Sequence, residues 1–324
     1  MPNLPKATND VIAILCSDLH LSHTAPPCRA GSPGGWYAEM ARTLRQVNGL
    51  SVKYRSPVIC AGDIFDHWRP CPELINFTIE SLAGWYCIPG QHDLPNHNYD
   101  DMELSAYYTL VAARSIAMLL PRPSKGTVIH VKNRDGVERF IIIQAFPWGH
   151  KPYPLPNDGR IPPDNIIPVI HLAVVHQYVW SGKACYQNAP IEQNLSHFAA
   201  SVKGYDAVLI GDNHKYWQRG KIYNNGTMMR RKSDEASYRP GCGLLHADGT
   251  ITRHEFCLDR EHFVLPTMAK QGEQNLADMT DLLDELKLLN EESPLDFAEN
   301  VRQTIARGDV SPQAAKILCD ALGI

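Results

Sequence analysis

The sequence predicts an α/β sandwich, with two β-sheets face to face and helices outside. Three observations carry that class. The first half alternates short apolar runs with helical stretches at βαβ spacing. The late part of the chain carries short strands with Gly-containing turns. Five of the apolar runs also deliver an Asp or His into the loop that follows.

At 324 residues with 44% hydrophobic composition, the chain suffices for one large domain plus a smaller one. Its N-terminus has no basic stretch before an apolar one, and no run of about 18 apolar residues follows. The expectation is a soluble cytoplasmic protein with no membrane partner. Nine cysteines without a C-x-x-C pair, several inside strand-like runs, argue against a disulfide framework. A net charge of −4 leaves nucleic-acid contact to local patches or bound metal.

In chain order, VIAILCSDLHL (11–21) reads as a buried strand that delivers Asp18 and His20, which share a face if the chain stays extended. The pair suits half of a divalent-metal site, and equally a capping Asp and a surface His. Residues 22–36 read as a Gly/Pro loop carrying His23, and 37–50 as a helix. The strand of VICAGDIFD (58–66) delivers Asp63, and DHWRPCPE leads into a helix with Ile75, Ile79 and Leu82 at helical spacing. A strand ending at Gly90 presents Gln91, His92 and Asp93. A loop and helix follow, then two strands with a turn at Asp135-Gly136. Residues 147–168, with seven prolines, read as a surface loop able to overhang the cleft through Trp148 and His150. Further strands deliver His176 and the group Asp212, Asn213 and His214. Segments from 221 onward read as consecutive antiparallel strands. A boundary near 259 divides a domain at 1–258 from a helical region at 259–324 with a Leu282, Leu286 and Leu289 stripe.

Gathered together, Asp18, His20, Asp63, Gln91, His176, Asp212 and His214 mix oxygen and nitrogen donors, which suits Mn²⁺, Fe or Zn²⁺ better than a Ca²⁺ cage. Two such ions clamp a phosphoryl group and activate water for in-line attack. Phosphoester hydrolysis is the reaction class this points to.

In their order along the chain these residues resemble the calcineurin-like metallophosphoesterases, whose motifs run D-x-H, G-D, G-N-H-D, a lone His and G-H-x-H. That resemblance implies a four-layer α/β/β/α sandwich of two mixed sheets. It implies one ion on Asp18, His20, Asp63 and His214, with Asp63 bridging to a second on Gln91, His176 and Asp212. His92 would be the general acid or transition-state donor, with Asp93 beside it in the catalytic motif. Two residues depart from the pattern: Gln91 stands for Asn and Asp212 for His. Asp212 makes the site one charge less positive, which favours Mn²⁺ or Mg²⁺ over Zn²⁺ and raises the pKa of a bridging water.

Within that family, GDIFDHWRPCPE and NNGTMMRRKSDE are similar to SbcD-type DNA repair exonucleases. The likeness implies Mn²⁺-dependent DNA cleavage and a coiled-coil SbcC-type ATPase partner, for which the C-terminal stripe is a candidate dock; a homodimer contact is the other. Arg230 and Arg231, with Lys232, are candidate phosphate contacts, as are His23, Arg69, Asn96 and His97. Asp234 and Glu235 follow at once, so a solvated turn also explains that cluster. Two other readings stay open: a phosphodiesterase or phosphatase on nucleotides or small phosphoesters, and a metal-poor binding scaffold.

Overall fold

In the computed structural model, which describes residues 10–121, 126–155, 167–182, 190–259 and 261–264, the first apolar run forms strand β1 (Val11–Cys16), buried along its length. β1 is central to a six-stranded sheet. On one side, β2 (Val58–Cys60), β3 (Trp85–Cys87) and β4 (Ile116–Met118) follow in parallel; on the other, β11 (Gly241–His246) and β12 (Ile251–Glu255) run antiparallel. The second sheet has the order β5 (Thr127–Lys132), β6 (Glu138–Phe146), β7 (Val169–His176), β8 (Ala207–Gly211), β10 (Ile222–Asn224), β9 (Trp217–Arg219). β6, β7, β8 and β10 are parallel, and β5 and β9 are antiparallel edges.

Alternation along the strands produces the layers. In β7, Ile170, Leu172 and Val174 face the first sheet across a core shared with Ile12, Ile59 and Leu245. Ala173 and Val175 face outward onto Phe198 of α4 (Leu195–Ser201). Helices α1 (Gly35–Tyr54), α2 (Pro72–Ser81) and α3 (Ala106–Ala112) cover the first sheet with Met40, Leu44, Leu74 and Leu110. Each such fully buried side chain stabilises by about 1.5–3 kcal/mol. The layers are therefore α/β/β/α.

Two sequence expectations change. β4 and β9 are additional short strands, each only three residues and too short for a periodic signal. The segments after 221 do not form one antiparallel run, because β10 joins the second sheet parallel to β8 while β11 and β12 join the first. The chain between them, 225–240, crosses from one sheet to the other past the site. The chain divides into two compact units, Met1–Phe263 and Val264–Ile324; the helices expected beyond 264 lie outside the described residues. Among the described residues all cysteines are free, and no helix is long and apolar enough to cross a membrane.

Candidate metal centre

The loops after β1 and β2 run side by side. Asp18 N–H donates to Gly62 O (3.0 Å), His20 N–H to Asp63 O (3.0 Å) and Leu21 N–H to Ile64 O (2.8 Å). Asp18 and His20 are not extended, as their spacing suggested. Both have left-handed backbone, φ 55° and 45°, as do Asp63 at 54° and Asp212 at 87°. Each such residue costs on the order of 1–3 kcal/mol and persists only where its surroundings over-determine it. These four side chains are among those that converge at the seam of the two sheets, beyond the C-terminal ends of β1, β2, β7 and β8.

Donor atoms of Asp18, His20, Asp63 and His214 all lie within 4.8 Å of one another. His20 Nε2 approaches His214 Nε2 to 2.9 Å. Asp63 Oδ2 is buried, with no hydrogen bond from the described residues, and stands 3.6 Å from His20 Nε2 and 3.4 Å from His176 Nε2. A carboxylate oxygen left bare between two imidazole nitrogens suits a bridging ligand. Burial and His20 push the His214 pKa down to about 3, so this ring offers a lone pair.

The other half of the site is built differently. Gln91 Nε2 donates to Asp212 Oδ1 (2.8 Å), and Gln91 Oε1 lies 2.8 Å from His176 Nε2. His176 Nδ1 is 2.5 Å from Ala61 O, and since a carbonyl only accepts, Nδ1 carries the proton. A neutral ring would then aim its Nε2 lone pair at two oxygens. Burial opposes a charged His176, but Asp63, then Asp212 and Asp18, raise its pKa well above the ordinary value. Burial likewise raises the Asp18 and Asp212 carboxyls, while Asp63, against its own burial, is held low by His176, His20 and His92. These converging lone pairs need a cation, whether a proton or a metal ion. Asp18, His20, Asp63 and His214 form a donor set that fits a metal ion.

Two glycines make room for this packing. A Cβ on Gly62 (φ 92°) would stand 2.6 Å from His176 Nδ1, and one on Gly90 would overlap Asp63 Oδ1.

Asp66, given no role by the sequence reading, orients the first half. Its carboxylate takes a two-pronged bond from Arg231 (2.7 and 2.8 Å) and lies 3.3 Å from His20 Nδ1, directing His20 Nε2 toward His214. Burial alone would raise its pKa, but Arg231 and His20 overcome this and hold it far below the carboxylate range. The only signal in the sequence was a second Asp three residues after Asp63. His92 donates from Nδ1 to Asp66 O (2.9 Å), leaving Nε2 to exchange a proton with a ligand in the cleft it lines. Asp93, by contrast, is a clamp: fully buried, it accepts from the backbone N–H groups of Ile64, Phe65 and Gly90 at 3.0–3.2 Å. Both oxygens thus hold the Asp63 loop against the Gly90 turn.

The expected phosphate contacts are mostly engaged elsewhere. Arg231 is paired with Asp66, and Arg230 pairs with Glu261 and stacks on Phe263. His23 meets the Tyr37 hydroxyl at 3.1 Å and Glu73 at 3.8 Å. Arg69 lies over the Trp68 ring, and Asn96 is exposed in a left-handed turn. His97 stays at the rim, with Nδ1 on Gln91 O (3.0 Å) and its ring 6.3 Å from that of His92. Lys232, exposed, lines the cleft of about 450 Å³ over His20, His92 and His214. Trp148 does overhang the site, with its ring 6.4 Å from that of His176.

This fold and donor set are those of a phosphoesterase with a candidate metal site. The calcineurin-like phosphoesterase family matches residues 13–216, and the chain belongs to it. Among solved structures it is similar to an archaeal phosphodiesterase, at 12% identity and TM-score 0.34, covering 75% of this chain and 99% of that one. It is also similar to the protein TT1561 of Thermus thermophilus, at 11% identity and TM-score 0.35, covering 76% and 98%. No curated protein matches the chain.

Proposed function

We propose that the protein is a Mn²⁺-dependent phosphodiesterase acting on nucleotidyl phosphodiesters, with DNA strands as its first substrate. The single observation that carries hydrolysis is the bare Asp63 Oδ2 between His20 and His176. Two divalent ions, when bound, supply the charge that polarises a phosphoryl group and lowers the pKa of the attacking water. Asp18, His20, Asp63 and His214 would hold one; Gln91, His176 and Asp212, with Asp63 shared, the other. His92, fixed by Asp66 O, places Nε2 to protonate the leaving oxygen. Lys232 adds a cation at the cleft for a substrate phosphate.

The DNA reading is supported by the SbcD-like loop after Asp63. A second reading, small nucleotide diesters, is supported by the internal ion pairs of Arg230 and Arg231, which leave fewer free cations for a long backbone. The SbcC-type ATPase or homodimer contact goes with the C-terminal region as a proposal of the same rank. Assaying linear duplex, single-stranded DNA and cyclic nucleotides with Mn²⁺ tests the choice. DNA cleavage abolished by His92→Ala is expected; turnover of cyclic nucleotides without DNA cleavage would replace the first reading with the second.

A further inference from the structure

The metal centre opens in two directions of unlike character. Toward His20 and His214 lies the polar cleft with Asp66, Arg231 and Lys232. On the other side, bounded by His176, is a cavity of about 600 Å³ lined by Trp148, His150, Pro152 and Phe198, with Gln177 and Glu192 as hydrogen-bonding groups. That volume falls in the range of small-molecule pockets, roughly 300–1,000 Å³. Its principal aromatic wall is fixed to the site itself. The Trp148 backbone N–H donates to Pro89 O (3.3 Å), one residue before the turn that presents Gln91 and His92, and the indole lies 6.5 Å from the His97 ring. The His150 ring is held edge-on against Tyr99 at 4.6 Å.

We propose that this cavity is a nucleobase subsite, taking the base on one ester arm of the substrate and stacking it on Trp148. The proposal rests on the phosphodiesterase reading above, and it adds a binding site and the class of group that fills it. Three features select the occupant. The cavity shares His176 with the metal centre, so what enters is attached to the phosphoryl group bound there. Its Trp, Phe and His walls suit a flat π-system. Gln177 and Glu192 suit a group with donors and acceptors on its edge, which an alkyl arm lacks. Stacking of a base on an aromatic side chain is worth roughly 5- to 150-fold in affinity and tolerates every base. A free nucleotide diester and an unpaired strand end offer the same chemistry.

The test uses the full-length protein in two states. Without metal, saturation-transfer NMR should show thymidine 5′-monophosphate binding through its base protons in wild type, weakened roughly 5- to 150-fold in Trp148→Ala and largely kept in Trp148→Phe. With Mn²⁺, the ratio of kcat/KM for thymidine 5′-(p-nitrophenyl) phosphate over methyl p-nitrophenyl phosphate should collapse in Trp148→Ala, chiefly through KM. Should the alanine variant fail to fold, Trp148→Leu, apolar but without a π-face, takes its place. Equal ratios in wild type and variant would overturn the subsite while leaving phosphodiesterase activity standing. A hexyl ester favoured as strongly as the thymidine ester would also overturn it, in favour of an unspecific apolar arm. Base binding without hydrolysis of either ester would instead overturn the phosphodiesterase reading. Wild-type and Trp148→Ala rates on single-stranded and blunt duplex DNA identify the source. A Trp148 effect on the former alone supports capture of a strand end, and one confined to the mononucleotide supports a free nucleotide.

Discussion

The two halves of the metal centre obey different rules. In the half built on Asp18, His20 and His214, donor atoms crowd together with like facing like, and an outer carboxylate, Asp66, stands 3.3 Å from His20 Nδ1. In the half built on Gln91, His176 and Asp212, the side chains satisfy one another, with the Gln91 amide donating to Asp212 and turning its oxygen to His176. The lesson lies in the two residues that depart from the family pattern. They touch. The longer amide and the substituted carboxylate form a hydrogen-bonded pair, and Gln91 keeps its oxygen near His176.

The largest effect should come from the residue common to both halves. Asp63→Ala removes the bridge, and activity should fall by about 10³-fold or more, with metal content by elemental analysis dropping in both sites. A variant that keeps one full equivalent of metal would break the idea that Asp63 serves both halves. Next, Asp66→Asn should weaken only the first half. Its metal affinity should fall about 10–100-fold by calorimetric titration, and the second site should be unchanged. Gln91→Asn and Asp212→His should each harm the second half more than the double variant does. Their coupling should be about 1–2 kcal/mol in metal affinity, whereas additive effects would mean the pair is accidental. Asp212→His alone should shift metal preference toward Zn²⁺ and the pH-rate profile toward acid, since the site gains a positive charge.

The smallest effect concerns acid stability. Asp66 has a folded-state pKa depressed far below its ordinary 3.8, so its contribution is complete above that value and disappears as pH falls through and below it. The carboxylate side chain is 42% exposed, so solvent screening keeps the term modest. Urea midpoints of metal-free protein between about pH 6 and pH 3 should fall less steeply in Asp66→Asn than in wild type.

The order of motifs made the candidate cluster of Asp18, His20, Asp63 and His214 and the sandwich legible, because each of these residues follows a buried apolar run and such runs are read from hydropathy alone. What lay hidden were relations between distant residues. Nothing local separates Asp93, clamped by three amides, from His92 one position earlier. A run of three cations at 230–232 looks the same whether it faces solvent or pairs internally, and Asp66 and Glu261 decide that from 165 and 31 residues away. The left-handed geometry of Asp18 and His20 was equally invisible, since Asp and His carry no such requirement in their side chains.

The close fit around the His176 imidazole has a bearing on how the site is assembled. Its ring comes from one sheet, its hydrogen-bond acceptor Ala61 and the space beside Gly62 and Gly90 from the loops of the other. Neither sheet alone holds a half-formed version of this pocket. Metal affinity should therefore report on docking of the sheets as a whole, and a core substitution far from any ligand that loosens their contact should show itself first as lost metal, before any strand unravels.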